Sequence, residues 1–196
     1  MSDAGLPLGL HRRTIGTTPF GPVLVLWALR EGDPKVVRVL LSRPSSPADA
    51  RAAELYPAVP ESSCVEMEAL AARLAALLEG EPVEIPLDVA DLDACSAFQR
   101  SVLRAEHAIP RGRVSTYRLL AAHLDRPNAA RAVGNALAAN PFPLIVPCHR
   151  AIRSDGRLGG YQGGPEMKRA LLAMEGTRVD DRGRAHGAVL HYAASP

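Results

Sequence analysis

Between Asn140 and Arg150 the chain reads Asn140-Pro141-Phe142-Pro143-Leu144-Ile145-Val146-Pro147-Cys148-His149-Arg150. Its three prolines rule out a helix. Each pyrrolidine ring fixes φ, removes a backbone N–H and biases the preceding residue away from the α region. With four bulky apolar residues between the prolines, the run predicts a buried, extended segment. That segment delivers a thiol, an imidazole and a guanidinium on a stiff backbone.

A free thiol of ordinary pKa is only about 3% ionised at neutral pH, so nucleophilic use of Cys148 requires a base or a positive charge nearby. His149 is the adjacent candidate. Side chains of neighbouring residues in an extended chain point to opposite faces, so a bridging water or a local turn is needed to bring them together. Glu175, in Leu171-Leu172-Ala173-Met174-Glu175-Gly176, is the acid that could orient the imidazole. Taken alone, Cys148 also fits an inert buried thiol and His149 a structural histidine. The following Ser154 to Gly164 holds five glycines around Tyr161, which suits a loop whose backbone must approach a flat ligand closely.

Upstream, Val23–Leu29 and Lys35–Ser42, separated by Gly32-Asp33-Pro34, predict a β-hairpin. Ser63-Cys64-Val65-Glu66 has capping-box spacing ahead of Leu70, Leu74, Leu77 and Leu78, which predicts an amphipathic helix to about Gly80. The proline-bearing stretch 81–92 reads as a linker. Beyond it, Phe98, Val102, Leu103 and Ile109 mark a helix that stops before Pro110. Ser115 or Thr116 caps a second helix, which breaks at Asp125-Arg126-Pro127. Asn128 is placed to cap a third from Ala129 to about Ala139, with Ala132, Val133, Ala136 and Leu137 on one face. The last two resemble a helix-turn-helix, a weak signal alone. The fold expected is α+β: a small N-terminal α/β domain with a β-hairpin or short antiparallel sheet, and a mostly helical C-terminal domain holding Cys148. The boundaries expected are 1–90, 91–176 and a tail, 177–196.

The net charge of +2 conceals a division along the chain. Residues 1–99 carry 8 Lys/Arg against 14 Asp/Glu, and residues 100–170 carry 12 against 4. A basic segment beside an acidic one is what a phosphate-binding face on one domain produces, although a solvated arginine-rich surface gives the same count. No apolar run approaches a membrane span and the first ten residues lack signal-peptide character, so a soluble, cytoplasmic monomer is expected, nucleoid-associated if prokaryotic. Cys64, Cys95 and Cys148 are odd in number and widely spaced, which excludes a disulfide framework, and no metal or cofactor is expected.

Arg131-Ala132-Val133-Gly134, Asn140-Pro141, Pro147-Cys148-His149-Arg150, Gly160-Tyr161-Gln162-Gly163-Gly164, Lys168 and Leu171–Gly176 together resemble the O6-alkylguanine-DNA alkyltransferases, without a gap from about Phe98 to Gly176. Thr18-Pro19-Phe20-Gly21, the hairpin and the helix before Gly80 resemble the family's small amino-terminal domain more loosely.

The resemblance implies direct repair of double-stranded DNA containing O6-alkylguanine, with O4-methylthymine a further candidate substrate. The helix-turn-helix would enter the minor groove and rotate the damaged nucleotide out of the stack. Cys148 would take the alkyl group irreversibly, one lesion per molecule. On this resemblance Arg131 fills the gap in the duplex, and Ala132, Gly134 and Asn135 lie on the DNA face. Tyr117 rotates the phosphate and hydrogen-bonds the flipped base. Asn140 ties the helix end to the active-site segment, and His149, through water and backed by Glu175, removes the thiol proton. Tyr161, Gln162, Ala151 and Lys168 form the pocket. Many relatives carry tryptophan at Leu103, valine at Ala151 and a smaller residue at Gln162. The rival readings are a non-catalytic lesion-binding relative, which lacks the cysteine, a helix-turn-helix regulator and a cysteine hydrolase.

Overall fold

The computed structural model describes residues 9–192; the opening of the expected N-terminal domain, 1–8, and the end of the expected tail, 193–196, lie outside the described residues. The chain divides into two compact units, 1–91 and 92–196.

The first unit is built on an antiparallel sheet of β1 (His11–Ile15), β2 (Val23–Arg30) and β3 (Asp33–Leu41), in that order. Residues Val23 to Ala28 of β2 are all buried, which is why the central strand reads as a continuous apolar run rather than an alternating one. The hairpin turn falls one residue earlier than Gly32-Asp33-Pro34. Glu31 and Gly32 both have positive φ (53° and 93°), as a two-residue type I′ turn requires. Pro34 sits opposite Leu29 in the ladder. Helix α1 (Ala48–Leu55), in a stretch whose sequence gave no periodic signal, places Ala48 and Ala52 against Leu24, Leu26, Ala28 and Leu40. Helix α2 (Val65–Leu78) buries Met67, Leu70, Leu74, Leu77 and Leu78.

Ser63 does not cap α2. Cys64 is the N-cap, without a side-chain cap bond, and the Ser63 hydroxyl donates to the Cys64 carbonyl at 3.4 Å. Glu66 and Glu68 occupy the first turn instead, where their charge complements the helix dipole, and Glu68 accepts from Arg13 at 2.9 and 3.0 Å.

In the second unit, α3 (Ala97–His107) begins at Ser96, whose side chain accepts from the Gln99 N–H. Strand β4 (Arg113–Thr116) leads directly into α4 (Tyr117–His123), capped by Thr116. Helix α5 (Ala130–Ala138) follows the turn at Asp125. Asn128 is exposed and makes no cap. The Ala129 N–H donates to the Arg126 carbonyl at 2.8 Å, and that turn carries the chain past Asn128 before the helix starts. On α5, Val133 and Leu137 are buried and Ala136 is half-buried, but Ala132 is exposed, so the apolar face is narrower than expected.

The chain then forms a 3-10 turn, Cys148–Arg150, then β5 (Ala151–Ile152) and α6 (Pro165–Met174). Strands β6 (Arg178–Val179) and β7 (Ala185–His186) pair with each other, and β8 (Ala188–Val189) pairs parallel to β4 on the side opposite β5. No helix among the described residues is long and apolar enough to cross a membrane.

Candidate active site and helix-turn-helix face

The proline run is buried from Phe142 to His149, as expected, but it is not extended. The Val146 N–H donates to the Phe142 carbonyl at 2.8 Å and the Cys148 N–H to the Val146 carbonyl at 2.7 Å. Pro147, at φ −77° and ψ 57°, is the centre of an inverse γ-turn. Leu144 has φ 75°. Prolines excluded a helix without forcing a strand, because a succession of tight turns satisfies backbone groups that a lone buried strand would leave unpaired.

Asn140 holds this loop from inside. Its Oδ1 accepts from the Phe142 N–H at 2.9 Å, and its Nδ2 lies 3.4 Å from both the Val146 carbonyl and Cys148 Sγ. Burial pushes the Cys148 thiol up to about 11, against the Asn140 hydrogen bond. The resting residue is therefore a neutral thiol.

A 3-10 turn at Cys148–Arg150 stands where an extended chain was expected, and His149 there meets Glu175. His149 Nε2 lies 3.0 Å from Glu175 Oε1. Arg150 binds the same carboxylate with two nitrogens, at 2.8 and 2.9 Å, and donates to the Ile109 carbonyl at 2.6 Å. The Glu175 side chain is only 3% exposed. Burial alone would raise its carboxyl, but the hydrogen bonds from His149 and Arg150 take it down to about 2. A carboxylate so firmly ionised can only accept, so the His149 proton sits on Nε2 and Nδ1 keeps its lone pair. Burial lowers the His149 pKa against Glu175, keeping the imidazole neutral. Nδ1 is buried and has no protein partner.

Around this relay, Tyr161 meets the His149 ring edge-on, with centroids 6.2 Å apart. Its hydroxyl is buried without a partner. Lys168 is fully buried and its ammonium donates to the Ala151 carbonyl at 2.6 Å. Gln162 folds its side chain onto the end of α5, donating to the Asn140 carbonyl at 2.5 Å. Gly159 has φ 71°, and a Cβ there would lie 2.7 Å from the Tyr117 hydroxyl, so that loop position requires glycine. Burial pushes the Tyr117 phenol up to about 12, so it stays protonated.

Helices α4 and α5 pack together and leave Arg131, Ala132, Asn135 and Ala138 exposed. Gly134 lies where a Cβ would touch the Tyr117 ring at 4.0 Å. Tyr117 thus adjoins both the exposed helix and the glycine loop. Two residues went unassigned in the sequence. Arg150 carried a signal, since it stands within the Pro-Cys-His-Arg run. Glu106 carried another, since it falls on the Val102 and Leu103 stripe of α3, ahead of Ile109.

The family model for the 6-O-methylguanine DNA methyltransferase DNA-binding domain matches residues 97–177. A Methanothermobacter thermautotrophicus methylated-DNA–protein-cysteine methyltransferase is 47% identical over 103 residues, which cover 53% of this chain and 57% of that protein. That alignment spans little more than half of the relative. The crystal structure of Mycobacterium tuberculosis O6-methylguanine methyltransferase is similar over a greater length, at TM-score 0.65 and 33% identity, covering 85% of this chain and 92% of that one. The chain belongs to the methylated-DNA–protein-cysteine methyltransferase family. A further structure, of the Mycobacterium tuberculosis protein in complex with DNA, matches this methyltransferase-family chain at TM-score 0.65 and 33% identity, over 85% of this chain and 93% of that one. The Cys148, His149 and Glu175 geometry lies within the segment that the family model covers.

Proposed function

We propose that the protein repairs alkylated DNA by moving an alkyl group from guanine O6 in double-stranded DNA to Cys148, once per molecule. The observation that carries this reading is the buried relay itself, in which Glu175 holds His149, the residue next to Cys148, through Nε2 and leaves its Nδ1 unpartnered and able to act as a base.

In the resting site the thiol keeps its proton, so the pocket is inert toward solvent electrophiles. A water bridging His149 Nδ1 and Sγ would pass the thiol proton to the imidazole as the alkyl carbon approaches. The S–C bond then forms as the C–O6 bond breaks, and the electron pair of that bond goes to the guanine oxygen. Tyr117, still protonated, and the backbone N–H of Gln162 are the donors offered to it. Asn140 orients the sulfur through Nδ2, and Lys168 holds the Ala151 carbonyl, which with the Cys148 carbonyl would accept from the guanine amino group. Tyr161 walls the pocket. The product is a thioether that thiol exchange does not reverse, and single-turnover behaviour follows.

Access to the base requires its rotation out of the duplex. Arg131 at the exposed start of α5 would fill the vacancy, while Ala132, Gly134 and Asn135 allow close approach to the minor groove. The protein would act as a cytoplasmic monomer on DNA, with no resident metal or cofactor. The test compares wild type and Cys148→Ser on an oligonucleotide duplex containing O6-methylguanine. The variant should bind the lesion and remove no methyl group, and methyl removal by the variant would refute the reading.

A further inference from the structure

Helix α3 carries an acid on its buried face. Glu106 is fully buried, and neither carboxylate oxygen has a hydrogen-bond partner. An ionised carboxylate in such surroundings is strongly disfavoured, and the group keeps its proton instead. Burial accordingly pushes Glu106 up to about 8, against the pull of the Lys168 and Arg150 charges. Lys168, equally buried on α6, is pushed down by burial to about 8, against Cys148 and Glu106. Helices α3 and α6 both pack on the Cys148–Arg150 turn, and the Lys168 ammonium binds the next carbonyl, of Ala151; after burial and the Asn140 hydrogen bond, Glu106 pushes the Cys148 thiol up and Lys168 pulls it down. The other titratable or charged groups facing Glu106 are Arg150, Tyr117 of α4 and Tyr192 beyond β8, whose phenol donates to the Ala105 carbonyl.

We propose that Glu106 is a positioning residue for alkyl transfer, forming with Lys168 a buried acid–base pair beside the Cys148 loop whose net charge governs how readily the thiol gives up its proton. The inference rests on the alkyl-transfer reading of Cys148. With Glu106 protonated and Lys168 cationic, the pair carries one positive charge and favours the thiolate. As pH rises through about 8 both groups give up their protons, the pair passes from one positive charge to one negative charge, and that support is lost. The Glu106 proton exchanges with solvent, the thiol proton still leaves toward His149, and no covalent bond at the pair is made or broken. An apolar side chain would fill the same place on the α3 stripe without burying an acid. Two buried ionisable groups driven toward near-neutral titration close to a nucleophile is the pattern of a functional site.

The test is the pH dependence of alkyl transfer from an O6-methylguanine duplex by wild type and Glu106→Gln, with the ultraviolet thiolate absorbance of Cys148 titrated in both against Cys148→Ser backgrounds. Expected is a ratio of variant to wild-type rate that climbs as pH rises through the region where Glu106 ionises, reaching at least about threefold near pH ~9. The Cys148 thiolate midpoint should move to lower pH. A ratio independent of pH, including a uniform loss of rate, together with an unmoved midpoint, overturns the proposal and leaves Glu106 a structural residue. Glu106→Leu removes the same charge by another route and must move the midpoint in the same direction, which covers the case in which the glutamine variant does not fold. Absence of transfer by wild type at every pH would count against the alkyl-transfer reading alone, and the thiolate midpoint would still decide the role of Glu106.

Discussion

Tyr117 leaves no room for a side chain at Gly159. A Cβ at Gly159 would lie 2.7 Å from the phenolic oxygen, on a backbone at φ 71°. Gly159→Ala should displace the hydroxyl that is offered to the departing guanine, slowing transfer by about tenfold to a hundredfold while leaving duplex binding largely intact; competition binding beside single-turnover rates checks this. Glu175→Gln has a sharper consequence. The amide can donate to His149 Nε2, which moves the imidazole proton to Nδ1 and removes the base, so the transfer rate should fall by about a hundredfold or more. The same change breaks a buried ion pair with Arg150 and should cost on the order of 3 kcal/mol of stability at neutral pH. Because the Glu175 carboxyl is held below its ordinary value, at about 2, its contribution is present above its unfolded value of 4.5 and is lost as pH falls through the folded one. Wild type and variant should therefore converge in denaturant midpoint in strong acid. Glu106 works in the opposite direction. Its folded value of about 8 exceeds the ordinary 4.5, so the folded state holds the extra proton between the two and its stability falls as pH rises through that window.

Among the elements, the helix pair α4–α5 is the one that the proposed function sets between DNA and the chemistry at Cys148. Arg131 stands exposed at its leading edge, so Arg131→Ala should reduce transfer from duplex on the order of tenfold more than transfer from the free base O6-methylguanine, read as the ratio of the two rates. Equal loss on both substrates would remove Arg131 from base rotation. The periodicities of α2, α3 and α4 were legible in the sequence because apolar residues recur on one face of each. The starts of α2 and α5 were misread for a local reason. Ser63 and Asn128 are good capping residues by type, but in both cases the helix starts one position further on, with Cys64 and Ala129 as N-caps. Strands β4, β5 and β8 contain two to four residues each, too short for alternation to show, and α1 is an alanine-rich helix in which the apolar pattern is faint. The loop around Cys148 shows the limit of proline rules. Pro141, Pro143 and Pro147 exclude a helix, but whether the chain then extends or turns is decided by Asn140, whose side chain closes the loop from within.

For the molecule as a whole, chemistry is concentrated in one unit. The segment matched by the family model, 97–177, contains the relay, the glycine loop and the exposed helix, and its excess of Lys/Arg over Asp/Glu in 100–170 agrees with a phosphate-facing surface. Much of this site was legible because its residues cluster in sequence around Cys148. Glu175 was reached as the acid at the end of the following helix. Arg150 and Glu106 were not assigned, because the first depends on a bidentate geometry and the second on burial, neither of which composition displays. Whether Cys148 takes an alkyl group and keeps it is read by mass spectrometry of the protein after incubation with excess duplex containing O6-methylguanine. A single methyl addition is expected, located on the peptide that carries Cys148 and saturating at one per protein. An unmodified Cys148, or many lesions cleared by each molecule, would contradict it.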